Sequence, residues 1–479
     1  MLFNSLEFIF VFLPVAWLGF VWLARLGNTA AVVWLSLASY AFYGSWDWRY
    51  LGLLGGSTLV NFAIGGRILR GGPHGGTWCA AGVALNLATL AVFKYADFLV
   101  ENINLAAGTD WTRPGLTLPP GISFFTFTQI AFLVDARRGA ANDRYELPGY
   151  SLFVNWFPHL IAGPVLHHAR MIPQFRQLHS RVINNDHIAS GLTLFAIGMG
   201  KKILLADNLA LVASPVFDSA AQGGEPALLA AWAGAVAYAF QIYFDFSGYS
   251  DMAVGLSRLF NVELPVNFAS PYKAGSIIEF WRRWHISLSS FLRDYLYIPL
   301  GGNRKGPLRR HANLMLTMLL GGLWHGASWG FVLWGGLHGL YLILNHLWRQ
   351  KTPASAAPPG RMRHAGGVAL TFVIVTLAWV FFRATSMSAA VEMLQGMVGA
   401  HGLANAGWGD LTALGVADIR SGQKMLFIAA LIVWLFPDSN QVAARLRSWG
   451  TVGALLAGLV LLVCLTRIGK PSEFLYFQF

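Results

Sequence analysis

Charge and cysteine are both scarce in this chain. Charged residues make up 12% of its 479 positions, about half of the roughly 25% usual in soluble domains. With 55% hydrophobic residues and a mean hydropathy of +0.51, the deficit excludes a soluble globular fold and a disordered chain, and leaves a multi-pass membrane protein. The two cysteines, Cys79 and Cys464, both lie inside apolar runs. That excludes a disulfide framework and a cysteine-based metal site, and they read as small buried hydrophobes. Also missing are the G-x-S-x-G elbow, the P-loop and the dinucleotide fingerprint, so hydrolase, ATPase and Rossmann chemistries lose their usual signals. No repeat at a solenoid period is visible, nor an inverted repeat of the transporter kind.

Aromatic residues, at 14%, are plentiful and suit interfacial belts and packed helix contacts. The net charge is +12. Its carriers collect in short loops and no aromatic-plus-basic nucleic-acid module accompanies them, so no nucleic-acid partner is expected. The first apolar run follows Met1-Leu2-Phe3-Asn4 without a basic stretch and carries Glu7, so it reads as a retained span rather than a cleaved leader.

Apolar runs of spanning or near-spanning length cover Phe8 to Leu26, Ala30 to Phe42, Leu51 to Ile64, Trp78 to Val100, Ile122 to Val134 and Ile188 to Leu209. Others cover Ala227 to Phe246, Leu314 to Leu323, Trp329 to Trp348, Val368 to Phe382, Met425 to Phe436 and Val452 to Leu465. Basic clusters assign five loops to the cytoplasm: Arg67 with Arg70; Arg137, Arg138 and Arg144; Arg170, Arg176 and Arg181; Arg304, Lys305, Arg309 and Arg310; and Arg349, Lys351, Arg361 and Arg363. The Met1 end and the stretches from Glu101 to Leu118 and from Ala384 to Gly422 are expected on the far side.

This parity has a consequence. The Arg137 and Arg170 loops fall on one face, yet Tyr150 to Val165 separates them and contains Pro158, His159, Gly163 and Pro164. A segment that enters and leaves on the same side is re-entrant, and such backbone needs protein or water around it. The stretch from Tyr249 to Leu300 is too charged to span and too aromatic for an ordinary loop, so short half-inserted helices are expected there. The expected fold is all-α and polytopic, with roughly eleven spans and re-entrant helices around a central tunnel. It forms one membrane domain over 1–479: a core at about 120–348, a cytoplasmic linker at 349–366 and C-terminal helices at 367–479.

The residues that could carry chemistry lie in that core. Gly321-Gly322-Leu323-Trp324-His325-Gly326-Ala327-Ser328-Trp329 sets a histidine between two apolar runs, where an ionisable group marks a functional site or a polar pathway. His285 is the second candidate, and both suit proton transfer because an unperturbed imidazole titrates near pH 6.5. His338 follows His325 by thirteen residues, about 20 Å along a continuous helix and on another face. The two share a site only if Gly326 or Gly335 breaks the helix, and His338 otherwise reads as a hydrogen-bonded packing residue. His167-His168 has no acidic or cysteine companion at metal-ligand spacing, so no metal is expected.

A polar cluster runs from Tyr243 through Asp245, Tyr249, Asp251, Asn267, Lys273, Glu279, Arg282 and Arg283 to Asn303 and Arg304. Its charges can pair and hold short helices together. Alternatively they form a basic vestibule in which Arg282, Arg283 and Lys273 contact phosphates of an anionic donor. A base with no built-in nucleophile points to direct acyl transfer between two bound substrates. A transporter or channel, and a non-catalytic scaffold of a secretion complex, are the alternatives from other classes.

Phe280-Trp281-Arg282-Arg283-Trp284-His285-Ile286-Ser287-Leu288-Ser289, Leu296-Tyr297-Ile298-Pro299-Leu300-Gly301-Gly302-Asn303-Arg304 and Gly321 to Gly326 resemble the membrane-bound O-acyltransferases (MBOAT), most closely their bacterial alginate O-acetyltransferase branch. Tyr243 to Met252, Pro120 to Phe124, Pro158 to Val165, Met1 to Ser5 and Glu473 to Phe479 share the likeness. The resemblance implies that His325 is the catalytic histidine and His285 the second polar site residue, which is an asparagine in many eukaryotic relatives. The expected donor-binding residues are Arg282, Arg283, Lys273, Trp284 and Asn303, and the tunnel-lining candidates are Asp245, Tyr249, Trp324 and Ser328. No bound cofactor is implied. The expected donor substrate is acetyl-CoA or another acetyl thioester. The expected partners are a periplasmic acetyltransferase-type protein, an exported polysaccharide and membrane lipid, at a bacterial inner membrane. Alginate, cellulose and peptidoglycan are the candidate acceptors, and one branch of the family transfers D-alanine.

Overall fold

In a computed structural model every described element is a helix. The described residues are all but 142–144, 182, 352–359, 403–415, 417–418, 470–473 and 476–479. Arg144, residues 352–359 of the expected linker and most of the family-like ending therefore lie outside the described residues, as does the Arg181 side chain.

The chain divides into two compact units, Met1–Met199 with Tyr249–Val266 and Val442–Gln478, and Gly200–Gly248 with Asn267–Gln441. In chain order the helices are α1 (Leu13–Leu23), α2 (Asn28–Gly44), α3 (Leu51–Leu69), α4 (Gly75–Ala107), α5 (Ile122–Arg137), α6 (Leu147–Asn155), α7 (His168–Phe175), α8 (Asn185–Gly200), α9 (Asp207–Ala221) and α10 (Leu228–Leu259). Then come α11 (Ile277–Arg283), α12 (Ile286–Leu292), α13 (Gly306–His325), α14 (Trp329–Lys351), α15 (Arg361–Arg383), α16 (Met387–Met397), α17 (Ile419–Leu435), α18 (Ser439–Ser448) and α19 (Thr451–Thr466).

Each expected apolar run falls on helix. Among the described residues, four helical stretches are long and apolar enough to cross a membrane: Gly75–Ala107, Asn185–Ala221, Leu228–Leu259 and Arg361–Arg383. The pair α17 and α18, bent by 79°, adds a fifth if it counts as one span. The other runs among the eleven expected are shorter, as in the 17 residues of α2, or carry charge, as α13 does at Arg309 and Arg310. The first of the four, α4, is only 11% buried over its apolar stretch, the pattern of a surface facing an apolar solvent. The 78% buried Leu228–Leu259 window is instead interior helix.

In the first unit α2 packs on α6, and α3 on α4 and α5. The broken segment expected near Pro158 is present. Helix α6 stops at Asn155, and the backbone from Trp156 to Leu166 is irregular and buried. Several of its polar groups find partners, as irregular backbone away from water needs. Phe157 N donates to Ser39 Oγ at 3.2 Å and Trp156 Nε1 to Ser257 Oγ at 2.8 Å. Gly121, in left-handed backbone (φ +69°), lets the start of α5 lie against this segment, since a Cβ there would overlap the Leu160 carbonyl.

The stretch from Tyr249 to Leu300 is half as expected. Tyr249 to Leu259 are not a short helix but the end of the 32-residue α10, because Met252, Ala253 and Leu256 continue its buried apolar face. Beyond it, α11 and α12 are seven residues each, too short to span. At the expected linker α14 runs on to Lys351 and α15 starts at Arg361, because helix-forming residues on both sides extend the flanking helices into it.

Candidate functional site

In the second unit α13 and α14 form a tight hairpin. At its closest approach Gly322 and Gly335 face each other; a Cβ on the first would overlap the Phe331 carbonyl, and one on the second the Met318 carbonyl. Glycine pairs let helix backbones meet this closely where apolar burial cannot drive association. Helix α13 ends at His325, and Gly326 takes extended backbone before α14 begins at Trp329. The break at Gly326 is therefore real, and it folds His338 back toward His325.

One indole joins the two. Trp334 lies 5.1 Å from His325 (ring centroids, planes at 87°) and 4.7 Å from His338. Trp281 Nε1 donates to His338 Nδ1 at 3.3 Å, so the proton of the neutral ring sits on Nε2, which is buried without a hydrogen-bond partner among the described residues; the break at Gly326 brings this ring into the neighbourhood of His325. His325 is 6% exposed and lies against Trp324, Trp334 and Phe382, with centroids 4.9, 5.1 and 5.2 Å away. An imidazole enclosed by aromatic edges is shielded from bulk water and fixed in direction.

His285 reaches the same neighbourhood from another segment, its ring 6.3 Å from that of Trp324. It sits between α11 and α12 in left-handed backbone (φ +43°), a conformation unfavourable for a non-glycine residue and typical of constrained sites. Asn267 holds it there. Asn267 Oδ1 accepts from Ser287 N at 3.1 Å and from Ser287 Oγ at 2.9 Å, which identifies that atom as the amide oxygen. His285 Nδ1, 3.2 Å from the same oxygen, must then be the donor. The proton is on Nδ1 and the lone pair on Nε2. Full burial pulls the imidazole down to about 3, so it is neutral at working pH.

The other expected residues are spread out. Asp245, 1% exposed, is paired with Lys202, whose Nζ lies 2.8 Å from its carboxylate and 2.9 Å from that of Asp207. Nothing in the sequence pattern flagged Lys202, because it lies inside an apolar run. The local signal is structural: a π turn, Lys201–Ala206, interrupts the helix there, and such turns recur at functional sites. Tyr249 belongs to the first unit, where it stacks on Phe3 at 4.9 Å. Trp324 is buried and Ser328 half-buried.

The five expected donor contacts have different surroundings. Arg282 and Asn303 are exposed. Arg283 pairs with Glu279 at 2.7 Å and also donates to Ala269 O. Lys273 donates to Phe436 O at 2.5 Å, and burial, then the nearby Arg283, hold its ammonium below the usual lysine range. Trp284 is buried in an aromatic cluster, 5.1 Å from Trp379 and 5.6 Å from Phe280. A cavity of about 380 Å3 in the first unit, lined by Asn28, Tyr145, Glu146 and Arg176 among others, holds none of these residues.

Enclosed imidazoles, compensated charges and apolar helices define a membrane-embedded protein with a buried polar site. Comparison with known proteins gives the family. The pattern of MBOAT, the membrane-bound O-acyltransferase family, matches residues 83–387. A probable alginate O-acetylase AlgI from Pseudomonas putida is 39% identical over the whole of both chains. A peptidoglycan O-acetyltransferase from Helicobacter pylori is 42% identical over 84% of this chain and 81% of its own. A teichoic acid D-alanyltransferase from Streptococcus thermophilus is 27% identical over 55% of this chain and 67% of its own. The chain belongs to the membrane-bound O-acyltransferase family and is a multi-pass membrane acyltransferase, which sets aside the transporter and scaffold alternatives.

Proposed function

We propose that this protein takes an acetyl group from a cytoplasmic thioester, acetyl-CoA, and passes it across the bacterial inner membrane for O-acetylation of an exported, alginate-like polysaccharide. A periplasmic acetyltransferase-type partner completes the transfer. The observation that carries the reading is the enclosure of His325 at the break between α13 and α14, with His285 in a fixed neutral tautomer against the same Trp324.

In this reading His325 accepts the proton of the acceptor hydroxyl as its oxygen attacks the thioester carbonyl. The tetrahedral intermediate collapses by breaking the carbon–sulfur bond, and the imidazolium returns the proton to the leaving thiolate. His285, with its lone pair on Nε2, orients the hydroxyl or relays its proton. General base catalysis of this kind is worth about 10²- to 10⁴-fold, and holding donor and acceptor together supplies more. Arg282, exposed beside His285, and Asn303 are the freer candidates for the donor phosphates; Arg283, Lys273 and Trp284 shape the surface around them. Asp245, Ser328 and Trp324 line the acyl path. The basic loops face the cytoplasm, where the donor is made.

A second acceptor, the glycan strand of peptidoglycan, is favoured by the 42% identical relative of that name. The test is acetyl transfer from labelled acetyl-CoA by membranes containing the protein and its co-expressed partner, with alginate and peptidoglycan as acceptors. Label appearing in alginate supports the reading. Label only in peptidoglycan moves the acceptor, and no consumption of acetyl-CoA by intact protein removes the donor.

A further inference from the structure

His167 and His168 have no acidic neighbour in sequence, but the fold supplies one. Asp135, in the last turn of α5, places Oδ2 3.5 Å from His167 Nδ1 and 3.4 Å from His168 Nδ1. One donor atom from each of the three residues lies within 4.8 Å of the others, and all three belong to the first unit.

Those separations are long for a hydrogen bond, which for N–H···O spans about 2.7–3.2 Å. Among the described residues neither ring nitrogen of His168 has a hydrogen-bond partner, although its side chain is 2% exposed. A buried polar ring left that way is unfavourable by about 1–3 kcal/mol. The ring is held edge-on by Phe132 and Tyr145, with centroids at 5.8 and 6.1 Å. It keeps its direction without those bonds.

The two imidazole–carboxylate separations suit a shared cation. Bonds of about 2.0–2.2 Å at tetrahedral angles set neighbouring ligand atoms about 3.3–3.6 Å apart. Two imidazoles and a carboxylate match borderline divalent ions and not calcium or magnesium, which take oxygen sets.

We infer that Asp135, His167 and His168 form a binding site for a divalent cation of the zinc type. Solvent completes the coordination on the side of His167, whose side chain is 50% exposed and gives the ion an entry path. The ion ties the end of α5 to the start of α7 and so braces the irregular segment from Trp156 to Leu166.

The test is calorimetric titration of ZnCl2 into the full-length protein in detergent after EDTA stripping, with MgCl2 as the comparison ion. The wild type is expected to bind one zinc per chain saturably and to show no magnesium heat. His167→Ala, which removes a half-exposed ring and leaves the buried pair, is expected to weaken zinc at least tenfold, as is Asp135→Asn. His401→Ala, which disrupts a separate histidine–carboxylate pair with Glu392, is expected to leave the titration unchanged. The inference is overturned if the wild type binds no zinc saturably, or if binding survives His167→Ala and Asp135→Asn undiminished.

Discussion

His325 meets the edge of Trp334 at 5.1 Å, with the ring planes at 87°. The contact fixes the direction of the imidazole without consuming a ring nitrogen of either partner. In the proposed mechanism Trp334 is therefore a positioning residue. Trp334→Leu is expected to lower kcat by about 10- to 100-fold, the range for a modest misplacement of a reacting group, with little change in the KM for acetyl-CoA. An unchanged kcat would reduce Trp334 to packing.

Asn267 sets the tautomer of His285 through an oxygen anchored by Ser287. Asn267→Asp keeps an acceptor at that point and is expected to retain most activity. Asn267→Leu removes it and is expected to cost about 10²-fold, with a shifted pH–rate profile. Equal activity in the two variants would show that the bond does not matter.

Lys202 pairs with the buried Asp245 and with the part-exposed Asp207. Lys202→Met leaves a buried carboxylate without its counter-charge and is expected to destabilise by about 3–5 kcal/mol. Adding Asp245→Asn should recover much of that loss, and thermal unfolding of the variants in detergent measures it. A double variant no more stable than Lys202→Met would argue against a coupled pair.

Burial depresses the His285 imidazole to about 3 in the folded protein, whereas in the unfolded chain it titrates near 6.5. The unfolded state therefore binds the extra proton first on acidification. The stabilising contribution is fully present above about pH 6.5 and is lost as pH falls toward 3, with a limiting slope of about 1.4 kcal/mol per pH unit. His285→Gln is expected to flatten the acid limb of a stability–pH curve, and an unaltered limb would contradict the depressed value.

The reasons some features were legible and others not are physical. His325 stood out because a titratable ring among glycines and tryptophans in an apolar stretch is costly unless used; His285 stood out only as a histidine in the charged, aromatic stretch that precedes it. The broken segment near Pro158 was legible because loop charge and proline break the parity of spans. The Lys202–Asp245 pair was not, because its members lie on separate apolar runs and only the packing of α10 beside the π turn brings them together. Asp135 was hidden for the same reason, thirty-two residues before His167. Several of the expected spans, α2 among them, fall short on length and hydropathy alone among the described residues, because small and polar residues that serve helix–helix packing interrupt their apolar runs.

The most direct measurement of the central claim compares wild type with His325→Ala in matched membranes, following acetyl-CoA consumption and polymer acetylation at equal protein levels. The account predicts that both readouts fall to background, while insertion and the unfolding temperature stay close to those of the wild type. Acetylation sustained by a well-folded His325→Ala protein would contradict it.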